Sequence, residues 1–269
     1  MRLQWPHRLR LAPCYLRFCW AVRLPYGVLT VSAPRGRMKS LSALREAFAY
    51  QTALVASINH ITSHIPERIV TGFKELEDPT GPVSDALDRL GIMDHVIAAT
   101  VLPPSIPGAR IVGPALTVRQ IRTRAAQGAG EDSAPPLAPM AVHLHASPGD
   151  VVVIESCGGA SSGGGYAQYL GQRHGEVGAI IDGAVRDLGQ SRRLGYPLWV
   201  REITPVTGKG RIGTVEINGA VTIAGVHVAA GDLVVADDSG ICFVPVEHAE
   251  TVLSLCQKIV RDDYDVYGF

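Results

Sequence analysis

With 269 residues, 46% hydrophobic and only 19% charged, the chain has enough apolar matter for a well-buried globular core, as one large domain or two small ones. Its 25 basic and 25 acidic residues balance formally, yet residues 1–37 hold seven Arg and no Asp or Glu. From Met38 onward the other 18 basic residues face all 25 acidic ones, a net of −7, and a mildly acidic body has no basic footprint for nucleic acid.

Residues 1–37 differ in composition from the remainder of the chain. They hold two of the three Trp (Trp5, Trp20), two of the five Cys (Cys14, Cys19) and Arg every few positions. Three readings stay open: an over-long start with Met38 as the initiator, an Arg-rich targeting segment, or a folded extension. Arg17 and Arg23 interrupt the apolar run, which excludes a membrane span there. Five scattered Cys without a CxxC pair point away from a disulfide or zinc framework and towards a reducing compartment, the cytoplasm. The expected organisation is an extension over 1–37 and one domain over 38–269.

Leu41, Leu44, Phe48, Leu54, Val55, Ile58 and Ile61 predict an amphipathic helix within 40–63, capped by Ser40 or Ser42. TGPVSDALDRLG (80–91) predicts a second helix stopped by Gly91, with Ser84 and Asp85 capping its first turn. ARIVGPALTVRQI (109–121) reads as a buried strand bent at Gly113-Pro114, and 122–139 as a surface loop. His143 and His145 would share a face only in a strand, and no third metal ligand stands near them. PGDVVVIES (148–156) is a turn and a strand, echoed by AGDLVVADDSGICFVP (230–245). Short β-like runs between Gly and Asn over 201–228 suggest hairpins, and Val252, Leu253, Cys256, Ile259 and Val260 mark one face of a closing helix. The whole predicts a single mixed α/β domain with a β-rich core.

Chemistry is best sought from Cys157 to Leu194. Gly163-Gly164-Gly165 lets the backbone approach a ligand, at a helix start near Tyr166 where N–H groups suit an anion. Neither GxGxxG nor GK[ST] is present. The apolar run Val177–Ile181, after a turn at Asp182-Gly183, should deliver Arg186-Asp187 to a strand end, where ligands of α/β folds collect. A guanidinium beside a carboxylate can hold an anion and a divalent cation together; a surface ion pair or a helix cap by Asp187 is the plainer alternative. Ser161 and Ser162 have no matched base, and Cys157 reads as a small core residue.

TGPVSDALDRLG, RIVGPALTV, PGDVVVI, the Gly-rich loop, GEVGAIIDGAVRD, GYPLWVR and AGDLVVADDSGICFVP occur in this order over 80–250. This series resembles the RraA-like family, which includes class II 4-hydroxy-4-methyl-2-oxoglutarate aldolases and protein inhibitors of ribonuclease E; IDGAVRD is its most specific segment. The resemblance implies a swivelling β/β/α-type domain assembled as a homotrimer or hexamer with sites between subunits. It also implies a Mg²⁺- or Mn²⁺-dependent lyase acting on small 2-oxo acids, with oxaloacetate decarboxylase activity. By the same resemblance Asp187 is the metal ligand, Arg186 binds the pyruvyl carbonyl and carboxylate, and Gly164, Gly165, Tyr166 and Ala167 form the loop that contacts the substrate carboxylate. One departure stands out. Enzymatic members place an acidic residue 21 positions before the arginine, and here that position is Gly165. A further acid is expected from a neighbouring subunit's C-terminal helix, for which Asp262 or Asp263 is the candidate. The resemblance also leaves open a non-catalytic regulator that binds a ribonuclease, and a lyase for a different 2-oxo acid.

Overall fold

The computed structural model describes residues 19–24, 27–32, 57–59, 61, 64–123 and 142–267. The chain divides into two compact units, Met1–Ala49 and Tyr50–Phe269. In the first, β1 (Cys19–Leu24) and β2 (Gly27–Ser32) pair antiparallel. The second holds the other described elements. They are β3 (Ser57–Ile58), α1 (Glu67–Lys74), α2 (Thr80–Arg89), β4 (Val96–Ala98), β5 (Ile111–Arg122), β6 (Val151–Glu155), β7 (Ser161–Gly163), α3 (Gly165–His174), β8 (Gly178–Val185), α4 (Leu188–Leu194), β9 (Leu198–Ile203), β10 (Ile212–Ile217), β11 (Val221–Ile223), β12 (Val226–Val228), β13 (Leu233–Ala236), β14 (Gly240–Val244) and α5 (Ala249–Tyr267). This is a mixed α/β domain built on one ten-stranded sheet, of order β4-β14-β13-β5-β6-β8-β7, with β9 on β8, β10 on β5 and β3 on β10.

Alternation sorts the strand residues into two faces. On β6, Val151 and Val153 enter one buried cluster and Val152 and Ile154 another; on β14, Ile241 and Phe243 separate in the same way from Cys242 and Val244. Helices α1, α2 and α5 cover β13 and β14, with Phe73, Leu87 and Val252 fully buried between them. Cys242 and Cys256 lie in that layer; burial pushes both thiols up, Cys256 to about 12, so neither is a ready nucleophile.

β5 changes partners at the point where a bend was expected. Ile111–Pro114 pairs antiparallel with β13, and Ala115–Arg119 pairs parallel with β6, so the proline without an N–H stands at the switch. A Cβ on Gly113 would run into the backbone carbonyl oxygen of Gly149. Gly113→Ala is therefore expected to cost about 1–3 kcal/mol, the range for overpacking against unyielding backbone. An unchanged denaturant midpoint would contradict that.

The echo of PGD and AGD is one turn made twice. Gly149 and Gly231 both take positive φ, 97° and 91°. Asp150 Oδ2 accepts the Ser147 N–H at 2.7 Å, and Asp232 Oδ2 accepts the Ala229 N–H at 2.8 Å, each three residues back. Burial raises the pKa of both carboxyls.

Several expectations change. Ser57–Ile58 pairs parallel with β10, so the helix expected within 40–63 does not reach residue 57; the rest of that segment lies outside the described residues, as do residues 124–139 of the expected loop. Helix α2 starts at Thr80, which puts Ser84 and Asp85 beyond its first turn. Its start is held instead by buried Asp237, which accepts the Thr80 N–H at 3.1 Å and hydroxyl at 2.7 Å. Gly91 follows α2 at φ +75°, as a stop signal should. Only β11 and β12 form a hairpin in 201–228; β9 pairs with β8 and β10 with β5. Val260 on α5 is 41% exposed rather than inward.

Candidate functional site

The parallel strands β8 and β9 end together at Val185 and Ile203, past the end of β6, and the loops beyond the C-terminal ends of these strands build the site. Asp182-Gly183 is not a turn. Strand β8 runs on to Val185, and its ladder with β9 shifts register between Ile181 and Ala184. At that irregularity β7 takes over beside β8 from β6, pairing with Ala184 and Val185. Asp182 is paired with Arg201 and accepts the Ala224 N–H at 2.7 Å, so it is committed to structure.

Arg186 and Asp187 come directly after β8, and β7 delivers the glycines beside them. The Arg186 N–H donates to Gly163 O at 3.2 Å, and Gln168 Nε2 donates to Arg186 O at 3.3 Å, so the Gly loop and the helix after it clamp Arg186. Gly164 has ordinary extended φ, yet a Cβ on it would stand 2.7 Å from Asp187 Oδ2 and 2.8 Å from Arg186 Nε. Only a bare Cα lets the pair lie against the loop.

Asp187 occupies the N-cap position of α4 at φ 64°, ψ 36°, a left-handed conformation that Asp tolerates better than most residues. Its carboxylate makes no cap bond to its own helix. Asp187 Oδ2 accepts instead the N–H of Gly165, the first residue of α3, at 3.0 Å, and lies 3.4 Å from Arg186 Nε. The side chains of Arg186 and Asp187 stay 42% and 47% exposed, so both remain open to a ligand. A strained residue whose carboxylate leaves its own cap unmade fits a functional site better than a plain helix cap.

The Gly165 N–H is thus already engaged by Asp187. The following N–H groups, of Tyr166 and Ala167, have no partner within a helix that begins at Gly165. The Tyr166 ring is 55% exposed and stacks on Tyr169, centroids 6.4 Å apart. Ala167 lines a cavity of about 30 Å³ behind the loop, with Gly163, Ser162, Gln168 and His143. Gln168 is 4% exposed and its Oε1 has no protein partner. Under the same helix, buried His143 Nδ1 lies 2.7 Å from Glu176 Oε1, and the Tyr196 hydroxyl donates to Glu176 Oε2 at 2.7 Å. Burial, then the Glu176 charge, pushes the Tyr196 pKa well up. His143 stands in a 3-10 turn (Val142–Leu144), not a strand, and His145 is exposed beyond it.

The other candidates lie elsewhere. Ser162 donates to Ser156 Oγ at 2.7 Å and Ser161 to Gly163 O at 2.5 Å, so both hydroxyls brace the loop. Cys157 is half-buried and free. Asp262 and Asp263 are exposed near the end of α5. A larger cavity, about 440 Å³, opens at the N-terminal ends of the parallel strands, lined by Lys74, Arg110 and Val177 among others, and does not reach Arg186 or Asp187. Two amides at the site carry no motif signal in the sequence. Gln168 is one, and Gln190, whose side chain covers the Cα of Gly165, is the other. Gln190 could have been found from its i, i+3 spacing to Asp187 at a helix start.

Among the described residues no three His, Cys, Asp or Glu cluster as a metal cage, and no helix is long and apolar enough to cross a membrane. One half-exposed carboxylate beside open backbone does fit a hard divalent cation that keeps most of its waters.

A mixed sheet whose parallel strands β7 and β8 bring a glycine loop against an Arg-Asp pair defines a mixed α/β domain, and its resemblance to known proteins gives the family. Residues 80–243 match the RraA-like family (Aldolase/RraA), and the chain belongs to that family. It is 33% identical over 196 residues to a Halalkalibacterium halodurans protein named "Putative 4-hydroxy-4-methyl-2-oxoglutarate aldolase", covering 72% of this chain and 84% of that one. The crystal structure of Streptomyces coelicolor RraAS2, titled an unusual member of the RNase ES inhibitor RraA protein family, superposes with TM-score 0.64 at 26% identity, over 77% of this chain and 98% of that one. A protein of Pseudomonas syringae pv. tomato gives TM-score 0.61 at 26% identity, over 74% and 90%.

Proposed function

We propose that this protein is a divalent-metal-dependent C–C lyase that releases pyruvate from 2-oxo acids such as 4-hydroxy-4-methyl-2-oxoglutarate, and that also decarboxylates oxaloacetate. The observation that carries the reading is the Asp187 carboxylate, turned from its own helix towards the glycine loop beside a half-exposed Arg186. Asp187 would hold Mg²⁺ or Mn²⁺, which when bound supplies Lewis-acid polarisation of the 2-oxo group.

The chain's own groups do the rest. The Arg186 guanidinium pairs with the substrate carboxylate and keto oxygen, and offsets the negative charge that gathers there as the C–C bond breaks. The Tyr166 and Ala167 N–H groups, at the positive end of α3, complete the carboxylate site. Glycine at 164 lets the substrate and the Arg-Asp pair approach the same stretch of backbone. The clamp of Gly163 O and Gln168 Nε2 on the Arg186 backbone fixes the direction of its side chain. No lysine imine is required, since Lys39, Lys74, Lys209 and Lys258 are the only lysines and none stands in the motif.

A non-catalytic regulator that binds a ribonuclease is the second reading, favoured by the side-chain-free Gly165. One assay separates them. Pyruvate release from 4-hydroxy-4-methyl-2-oxoglutarate and from oxaloacetate is followed with Mg²⁺ and again with EDTA. Turnover that the chelator abolishes is the expected result; silence on both substrates, with measurable binding to a ribonuclease, would replace the lyase by the regulator.

A further inference from the structure

Resting on the lyase reading above, we infer that buried His143, Glu176 and Tyr196 position Arg186, acting through Gln168 and one water in the cavity between them. The side chains of Glu176 and His143 are 0% and 7% exposed, and Tyr196 and Gln168 are buried as well. Every member lies inside one chain, so the group is complete whatever that chain assembles with. A carboxyl group kept from water is costly unless its oxygens are bonded. Here Oε1 faces His143 Nδ1 and Oε2 accepts the Tyr196 hydroxyl, both at 2.7 Å. Well-packed apolar residues commonly stabilise a core as well as such a group does, so stability alone does not account for it.

Its geometric role is at α3. The Glu176 N–H donates to Gly171 O at 3.1 Å, and a Cβ on Gly171 would run into Glu176 Oε2 and stand 2.9 Å from the Tyr196 hydroxyl oxygen. The helix therefore rests directly on the group. Gln168 is three residues before Gly171 on the same buried face, and its Nε2 donates to Arg186 O at 3.3 Å. The other end of that amide, Oε1, is buried with no partner among the described residues. Gln168 lines the cavity of about 30 Å³ together with His143, Tyr196 and Ser162, which gives room for a water with several polar neighbours. A water that donates to Oε1 also settles which way the amide points. Oε1 can only accept, so it turns to the water and leaves Nε2, the donor, facing Arg186 O.

Arg186 needs this support because its side chain is loosely held. It is 42% exposed, and its one ion-pair partner among the described residues is Asp187, 3.4 Å from Nε. The direction of the guanidinium is therefore set from the backbone, where the N–H donates to Gly163 O and the carbonyl accepts Gln168 Nε2. Releasing that carbonyl lets the whole residue drift. A misplacement of about 1 Å at a reacting centre can cost about 10²-fold in rate.

The test uses the full chain with Mn²⁺ and oxaloacetate, corrected for spontaneous decay. Gln168→Leu should lower kcat about tenfold, a fraction of what a full 1 Å shift costs. Glu176→Leu should act in the same direction. Glu176→Gln should restore most of the rate, because an amide can still accept from Tyr196 and donate to His143 Nδ1. Glu176→Leu added to Gln168→Leu should cost nothing further in kcat, since both reach Arg186 by one route; a merely structural role would add the two losses. Should Glu176→Leu fail to fold, Tyr196→Phe, which removes a single hydroxyl, takes its place in the same cycle. Crystals of wild type should show one water on Gln168 Oε1, and crystals of Gln168→Leu a displaced Arg186 guanidinium. Additive losses, a cavity without that water, or an Arg186 that does not move would overturn the inference and leave the lyase standing. Absence of chelator-sensitive turnover by wild type would sink both.

Discussion

Asp187→Asn is expected to abolish metal-dependent turnover while leaving the fold intact. The two halves of that result have separate causes. Asn keeps the left-handed backbone that position 187 requires, because its short polar side chain tolerates φ near +60° almost as Asp does. Its amide oxygen can still accept the Gly165 N–H that Asp187 now receives. A side chain 47% exposed contributes little to the core, so thermal unfolding should shift hardly at all. What would be lost, on the proposed reading, is the negative charge that a hard cation needs from Asp187. Steady-state rates on oxaloacetate across a Mg²⁺ titration check this, with circular dichroism melts as the control. A wild-type rate in the variant would remove Asp187 from the metal site.

The second large effect is at Arg186. Arg186→Ala should lower kcat by about 10²–10³, the range for removing one donor to a developing oxyanion. The cost falls on kcat because the charge on the keto oxygen grows only as the bond breaks, so the guanidinium interacts more strongly with the transition state than with the substrate. KM should rise as well, since in the proposed function the same group binds the substrate carboxylate. Arg186→Lys should recover only part of the loss, because an ammonium cannot match the bidentate fork. A wild-type kcat in the alanine variant would show that Arg186 faces no reacting atom.

Much of the architecture was legible because strands and tight turns announce themselves locally. The apolar run Val151 to Ile154 and the repeated Gly-Asp turn predict β6 and β13, and Gly163 to Gly165 mark a helix start that lies at Gly165. The site's two halves, 22 residues apart, could be joined by resemblance but not by spacing. Asp182-Gly183 misled for a physical reason: the dipeptide suits a turn, but pairing on both sides of β8 keeps the chain extended and turns its backbone freedom into a register shift. Helical periodicity over 40–63 likewise lost at Ser57–Ile58 to ladder bonds from β10, which is distant in sequence. The His143–Glu176–Tyr196 group was invisible because its members meet only after α3 packs over the sheet. Gln168 and Gln190 give no signal in the sequence, because an amide carries no charge and belongs to no motif here; Gln168 touches the Arg186 backbone and Gln190 covers the Gly165 Cα.

In the proposed function, Asp187 and Arg186 together hold a cation and a planar 2-oxo acid on the glycine loop. Crystals grown with Mn²⁺ and oxalate, a planar mimic of pyruvate enolate, put it to the most direct test through the anomalous signal of the metal. An anomalous peak within bonding distance of an Asp187 oxygen, with oxalate between it and the Arg186 guanidinium, is the predicted result. A peak at any other carboxylate, or oxalate bound away from Arg186, would contradict it.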